Sequence, residues 1–277
     1  MESISQKLKS FLPDHPAKIY PSAKRCIYCG STENLSDEHI IPFGMGGQMV
    51  IPKASCKACS GLSSAFEGTC LRTMFGPLRM LYDLPSYRKK SRPKKLPLKV
   101  KIDSKDDWTK MDVEQTDYPF LVLFPIFQLP DLLSGKVTVD GRDAKTNKLW
   151  IRGASASQGF FSHMDTLIAK LGVHAVMPEA KAHVEEFCLM LAKIGHAYAN
   201  AEIGCDKFEP LLTNALLRKD LSNRADFIGG LGRDEAPSSA LHELSVHDHN
   251  NLVVVRIRLL AKLGTPTYYV VAGRRFL

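Results

Sequence analysis

Four cysteines near the start of the chain have the types and the spacing of metal ligands. Cys26 and Cys29 form one C-x2-C pair, and Cys56 and Cys59 form a second. Two residues between the cysteines of a pair let both thiolates meet one tetrahedral metal from a tight turn. Two such pairs complete a shell with no open position. The spacing therefore predicts a structural zinc ion, which would supply folding energy to a segment too short to bury a large core.

The segment between the cysteine pairs contains an acidic residue directly followed by a histidine. It has DEHIIP at residues 37–42 and MGG at residues 45–47. The motifs CIYCG, DEHIIP, MGG and CKAC follow one another in the order of the HNH endonuclease family, which the chain resembles over residues 24–70. This resemblance implies a ββα-metal fold, in which a two-stranded hairpin and a helix grip a catalytic metal.

The same resemblance implies roles for individual residues. Glu38 would be a ligand of a catalytic divalent cation, Mg²⁺ or Mn²⁺ or a similar ion, and His39 would be the general base. The family's Asn or His after the last cysteine completes the metal site from the helix. This chain has Ser60 there, whose hydroxyl is a weaker ligand than a carboxylate. Glu67 lies too far along the predicted helix to replace Ser60 simply.

The residue types also suit the chemistry independently. Phosphodiester hydrolysis needs a positioned water, a base of near-neutral pKa and a cation that offsets developing charge. Histidine has an unperturbed pKa of about 6.5, and a hard cation held by one carboxylate accepts phosphate oxygens as further ligands. Neighbouring strand residues point to opposite faces. Glu38 and His39 can therefore reach one cation only where the backbone is irregular, as Pro42 and the glycines after it allow.

The positive charge of the chain lies almost entirely in its first third. Residues 1–101 contain 17 Lys+Arg against 7 Asp+Glu, whereas residues 102–277 contain 20 against 22. Such asymmetry favours a polyanion partner for the N-terminal part, and DNA is the predicted one. No motif for base recognition is present, so no sequence preference is expected. The predicted nucleic-acid contacts are Lys53, Lys57, Arg72, Arg79, Arg88, Lys89, Lys90, Arg92, Lys94 and Lys95.

Composition shifts divide the chain into four predicted segments. A lead-in covers residues 1–24, where three prolines oppose a helix. The module with structural zinc covers residues 25–84 and ends in a helix kinked at Gly76–Pro77. Residues 85–101 are proline-rich and basic, which predicts an extended linker. Residues 102–277 form a separate domain whose role we expect to be target recognition, sensing or dimerisation.

The element pattern of this last segment predicts an α+β fold. Strands are expected over 120–127, 136–140 and 148–153, and helices over 162–172 and 178–203. The chain ends in a predicted β-hairpin over 251–273, in which Arg256 and Arg258 alternate with apolar residues as on a strand with one solvated face. The preceding segment, ALHELSVHDHNN, contains three histidines without a metal-ligand spacing and is predicted to be a polar loop.

Three functions fit these observations. The first is a metal-dependent DNA endonuclease, with a role in prokaryotic defence or in the processing of mobile elements. The second is a zinc-stabilised DNA-binding protein in which Ser60 marks lost catalysis. The third is a nuclease held inactive until its C-terminal domain binds a signal.

No apolar run long enough to span a membrane and no signal peptide is present, so a cytoplasmic protein is expected. Homodimerisation through the C-terminal domain is a further expectation.

Overall fold

The N-terminal elements form a ββα unit. The computed structural model describes residues 17–86, 92–136, 150–154, 160–218, 223–231 and 235–276. Its first elements are strands β1 (Lys18–Ile19), β2 (Leu35–His39) and β3 (Met49–Cys56), followed by helix α1 (Lys57–Thr69). Strand β3 is central, antiparallel to β2 and parallel to β1. The predicted hairpin and helix are therefore present.

A π-helical turn interrupts the helix after α1. Residues Cys70–Met74 have π geometry, with the Phe75 amide donating to the Cys70 carbonyl at 3.0 Å. A second helix, α2 (Gly76–Leu81), then begins with a proline in its first turn. Proline has no amide hydrogen to donate and cannot continue the preceding helix. The helix is therefore split before Gly76–Pro77, so the predicted interruption is confirmed.

The remaining chain alternates strands and helices, which confirms the predicted α+β class. In chain order its strands are β4 (Lys95–Lys101), β5 (Thr109–Glu114), β6 (Val122–Ile126), β7 (Trp150–Ala154), β8 (Ala175–Met177), β9 (Phe208–Pro210), β10 (Ile228–Gly230), β11 (His242–His249), β12 (Leu252–Leu259) and β13 (Tyr268–Arg275). Its helices are α3 (Asp131–Ser134), α4 (Phe160–Leu171), α5 (Val184–Ile203), α6 (Thr213–Arg218) and α7 (Arg224–Phe227). The strand expected over 136–140 falls mostly outside the described residues.

The second half of the predicted linker is a strand instead. Strand β4 is the centre of a small sheet in the order β5-β4-β8, against which α4 packs. Leu96, Leu98 and Val100 are buried while the residues between them are more exposed. This period-two alternation, together with the β5 partner, makes the segment a strand despite its prolines and lysines.

Helix α5 passes through the middle of the molecule. Every side chain from Phe187 to Asn200 is buried, which is the pattern of a helix covered on all sides. It contacts α1 of the ββα unit and strands β12 and β13 of the C-terminal sheet. One continuous apolar cluster therefore contains residues of both parts, such as Ile40 and Phe66 with Phe187 and Val255. The helix begins at Val184, later than the expected start at residue 178.

The C-terminal sheet has the order β10-β13-β12-β11, with β9 added on β13. Strands β12 and β13 pair antiparallel, so the predicted hairpin is confirmed. The predicted polar loop before it is wrong, because His242–His249 form the edge strand β11, paired along its length with β12. The expected solvated face is wrong at Arg258, which is buried because the chain at 235–236 and 265 covers it and accepts its hydrogen bonds. No helix in the described parts of the chain is long and apolar enough to cross a membrane.

Candidate active site and zinc centre

The four predicted metal ligands come together at one end of the β2–β3 hairpin. Cys26 and Cys29 lie in a tight turn that ends at Gly30, which has a φ of +78° and donates its amide to the Cys26 carbonyl at 2.9 Å. Cys56 is the last residue of β3, and Cys59 lies in the first turn of α1. The four sulfur atoms lie within 4.8 Å of one another. This spacing fits four thiolates around one tetrahedral ion.

The local backbone favours the thiolate form at the start of α1. A hydrogen bond from the Cys59 backbone amide to the Cys56 sulfur lowers the pKa of Cys56 to about 7. Exposed amides at the beginning of a helix stabilise negative charge in this way. Four sulfur donors are the donor set of a structural zinc site. The predicted zinc cysteines are thus confirmed as one cluster.

An irregularity in the β2–β3 pairing lies directly before the acid and the histidine. The register shifts between Ser36 and Glu38, where Asp37 of β2 faces the three residues 52–54 of β3. The extra residues bulge out of β3, where Lys53 has a φ of +49° and its amide donates to Asp37 Oδ1 at 3.1 Å. Glu38 and His39 both line the cleft although they are adjacent in sequence. The irregularity of the hairpin therefore lies in β3 opposite Asp37, and not at Pro42.

The loop that follows β2 is held in a compact turn. Residues 43–45 form a 3-10 turn that ends at Gly46, with a φ of +82°. A Cβ atom on Gly47 would lie 2.0 Å from the Ile41 carbonyl oxygen. Only glycine allows so close an approach between two backbone segments. The MGG motif therefore serves to fold the chain back toward β3.

One cleft of about 830 Å³ contains all three predicted catalytic residues. Glu38 and His39 line it from strand β2, and Ser60 lines it from the first turns of α1. The Ser60 hydroxyl donates to the Lys57 carbonyl at 3.1 Å, a bond within its own helix. Glu67 and Arg72 line the same cleft farther along. Mg²⁺ and Mn²⁺ prefer oxygen donors, carboxylates above all, so Glu38 with the weaker Ser60 hydroxyl is a donor set that fits such an ion.

The family model of HNH endonucleases matches residues 26–64, which span both cysteine pairs, the hairpin and the first half of α1. Residues 26–64 are an HNH endonuclease module. No curated protein and no solved structure matches the chain at a significant level. The match and the four-cysteine cluster agree with the resemblance found in the sequence.

The surroundings of His39 in the HNH module favour a neutral imidazole. Its ring meets the Phe43 ring edge-on, with centroids 5.5 Å apart. Partial burial lowers the pKa of His39 first, and the nearby charge of Lys193 lowers it further. The charges of Glu38 and Asp37 oppose this shift without cancelling it. His39 is therefore uncharged at neutral pH, the state in which it can accept a proton.

A lysine from outside the HNH module lies at the centre of the site. Lys193 of α5 is 2% exposed, and its ammonium lies 2.6 Å from Glu38 Oε1 and 2.9 Å from Glu67 Oε1. It also donates to the His39 carbonyl. Burial alone lowers the pKa of Lys193, but the two carboxylates outweigh this and raise it above the ordinary value. The ammonium is thus charged and surrounded by acceptors.

Sequence reasoning missed Lys193 and the place of Glu67. Glu67 is largely buried, and this burial is the first cause of its raised pKa, which Lys193 partly offsets. The two residues are brought together by the packing of α5 against α1. The one signal in the sequence was a lysine within the apolar run CLMLAKIG, since a charge in a fully apolar helix needs a buried partner.

The predicted nucleic-acid contacts that lie in the described residues fall into two groups. Arg79 and Arg92 are engaged inside the protein: Arg79 donates to the carbonyls of residues 44, 71 and 85, and Arg92 to Asp83 and a carbonyl. Both line the cleft, and these hydrogen bonds hold the chain around it. Exposed ones are Lys53, Lys57, Arg72, Lys94 and Lys95, the last with Glu114 at 3.5 Å. Arg88, Lys89 and Lys90 lie outside the described residues.

Two buried histidines of the C-terminal part also bind backbone groups of the HNH module. His196 of α5 bonds the Ile27 carbonyl at 2.7 Å, and burial lowers the pKa of His196 to about 4. His242 at the start of β11 bonds the Met45 carbonyl at 2.8 Å and accepts from the Leu260 amide. Together with Lys193, these contacts anchor the module on α5 and the C-terminal sheet.

Proposed function

We propose that this chain is a metal-dependent endonuclease that hydrolyses DNA phosphodiester bonds through its HNH module. The observation that carries the proposal is the presence of Glu38, His39 and Ser60 in a single cleft of that module. A cleft of about 830 Å³ lies in the size range of sites that bind small ligands, and is therefore wide enough for a phosphodiester and its flanking sugars.

In this proposal His39 is the general base. Its neutral imidazole takes a proton from a water molecule in the cleft as that water attacks the phosphorus atom. The Phe43 ring packs edge-on against the imidazole. Glu38 and Ser60 would hold a divalent cation, which when bound offsets the negative charge that develops on the phosphate oxygens. The leaving oxygen then takes a proton from solvent.

Exposed basic residues support DNA as the substrate. Arg72 is exposed and lines the cleft itself, while Lys53 and Lys57 lie on the exposed side of the hairpin and of the start of α1. Cations around a phosphate-binding cleft raise affinity by releasing counterions, with a log–log salt slope of about −0.9 per phosphate contact. Such contacts carry no base recognition, so cutting without sequence preference is expected.

The test is nicking of supercoiled plasmid with Mg²⁺ or Mn²⁺. His39→Ala should lower the rate by roughly 100-fold or more, because a positioned base contributes about that much. His249→Ala is the matched control, since it removes an exposed histidine at the end of β11, away from the cleft residues. Equal rates for the wild type and His39→Ala would refute the proposal.

A zinc-stabilised DNA-binding protein without catalysis is the second candidate. Two observations favour it: the Ser60 hydroxyl is engaged by its own helix, and Lys193 takes one oxygen of Glu38. This candidate predicts retention of plasmid in a mobility assay, a steep salt dependence and no nicking above the His39→Ala background. Loss of retention on Arg72→Ala together with absent nicking would establish it over the nuclease.

A further inference from the structure

The ammonium of Lys193 occupies the space between the two buried carboxylates of the cleft. Its nitrogen lies 2.6 Å from Glu38 Oε1 and 2.9 Å from Glu67 Oε1 as an ion pair with both carboxylates, and it donates to the His39 carbonyl and, at 3.4 Å, to the Ile40 carbonyl. The side chain is 2% exposed. Because the ammonium is buried among these acceptors, Lys193 is not placed to contact DNA directly.

Without this ammonium, the same place would be an excellent cation site. Two carboxylate oxygens less than 3 Å from one point resemble the ligand arrangement that hard divalent ions select. A cation there would lie between β2 and α1, at the buried end of the cleft and away from its open part. Lys193 thus determines which carboxylate oxygens of Glu38 and Glu67 can bind a cation, and on which side.

We propose that Lys193 is a positioning residue of the nuclease site. It keeps the catalytic cation out of the space between the Glu38 and Glu67 carboxylates, called the Glu38–Glu67 gap below, and it fixes the positions of Glu38 and His39 relative to each other. This inference rests on the proposed nuclease function. It also means that the active site is completed by α5, a helix outside the matched HNH residues. The ammonium bonds both the acid and the backbone of the base residue, so one group orients both.

The test compares full-length wild type with Lys193→Met, using two independent measurements. Mn²⁺ affinity, followed by the loss of the free-ion EPR signal, should tighten by roughly tenfold or more, because a positive charge a few Å from the ion is removed. The kcat for plasmid nicking should fall by roughly 100-fold, since a displaced ion misplaces the reacting groups by about 1 Å. KM for DNA should not change, as Lys193 is not exposed to it.

Lys170→Met is the matched control. Lys170 lies exposed on α4 and forms a 2.7 Å ion pair with Asp117. This variant should change neither Mn²⁺ affinity nor kcat. A merely structural Lys193 would lower kcat and leave Mn²⁺ binding unchanged or weaker, and this result overturns the proposal. A rise in kcat on Lys193→Met would also overturn it, because the lysine would then be blocking the site.

Glu67→Gln keeps the test decisive if Lys193→Met does not fold. If Lys193 excludes the cation from the gap, this variant changes Mn²⁺ affinity by less than about threefold, because the ion has no contact with Glu67. If the ion displaces Lys193 and binds both carboxylates, affinity weakens by roughly tenfold or more, and the proposal fails. A wild type that binds Mn²⁺ but cuts no DNA would refute the nuclease alone, and the Mn²⁺ comparison would still decide the role of Lys193.

Discussion

Replacing Lys193 by methionine should lower the free energy of unfolding by about 3–5 kcal/mol at neutral pH. Methionine keeps the unbranched apolar stem, so the change removes the charge and little of the packing. Glu38 and Glu67, which are 2.6 and 2.9 Å from the ammonium, are then left buried without a counter-charge. Removing one partner of a buried ion pair is costly for this reason, even where the intact pair adds little net stability.

The double variant with Glu67→Gln separates charge from packing. Glu67→Gln alone should cost about 1–3 kcal/mol, because Lys193 loses one charged acceptor. The two changes together should cost less than their sum by about 1–3 kcal/mol, since the second removes the repulsion created by the first. If the lysine contributed only through packing, the two costs would simply add.

Urea unfolding followed by circular dichroism measures these differences. The buffer contains zinc but no other divalent metal, because an ion that binds only the native state adds stability by mass action. Lys170→Met provides the reference, and its exposed pair should be worth less than about 1 kcal/mol. If Lys193→Met were no more destabilising than this reference, the buried ion triad would not exist in solution and the reasoning would be refuted.

Four further predictions concern the metal, the base, the turn and the DNA contacts. Removing zinc with a chelator should unfold the HNH module, because structural zinc in small modules contributes on the order of 10 kcal/mol; loss of circular dichroism signal checks this. Nicking should lose activity only when the pH falls below the ordinary pKa of histidine, because burial lowers the pKa of His39 and a general base acts in its neutral form. A pH–rate profile with a midpoint above 6.5 would contradict this prediction. Gly47→Ala should destabilise the fold by more than about 1 kcal/mol, because its Cβ would lie 2.0 Å from a carbonyl oxygen. The control Gly61→Ala should stabilise α1 by about 0.5–1 kcal/mol, because a Cβ there has nothing within 4 Å. Thermal unfolding compares the two variants. Arg72→Ala should reduce the magnitude of the log–log salt slope of DNA binding by about 0.9, while Arg79→Ala should lower stability and leave that slope unchanged, because Arg79 donates to three backbone carbonyls.

Local patterns were sufficient to predict the zinc cluster, the ββα unit and the C-terminal hairpin. The cysteine ligands lie in pairs only two residues apart, and a tight turn or a first helical turn places both sulfurs of a pair. The start of a new helix at Gly76–Pro77 agrees with the missing amide of one residue. The α+β class followed from the periodicity of apolar residues, which is also a local property. The roles of Glu38, His39 and Ser60 remain predictions, although the three residues share a cleft.

Local patterns failed where a distant segment decides what a side chain touches. The histidines around His242 suggested a polar loop, but pairing with β12 made that segment a strand. Arg258 alternates with apolar residues, as a solvent-facing strand residue would, but the backbone of residues 235–236 covers its side chain. Arg79 is predicted to contact DNA, and its bonds to three backbone carbonyls near the cleft come from segments that no local pattern brings together.

By itself, then, the amino-acid sequence determined the metal-binding scaffold and the identity of the acid and the histidine. Only the tertiary structure decided the charge environment of that pair. Lys193 and His39 are separated by 154 positions in the chain, and no local pattern encodes a contact over such a distance. The burial of α5 removes the lysine from water, and an ammonium without water must find carboxylates and carbonyls as partners. The packing of this helix against the HNH module made Glu38 and Glu67 those partners.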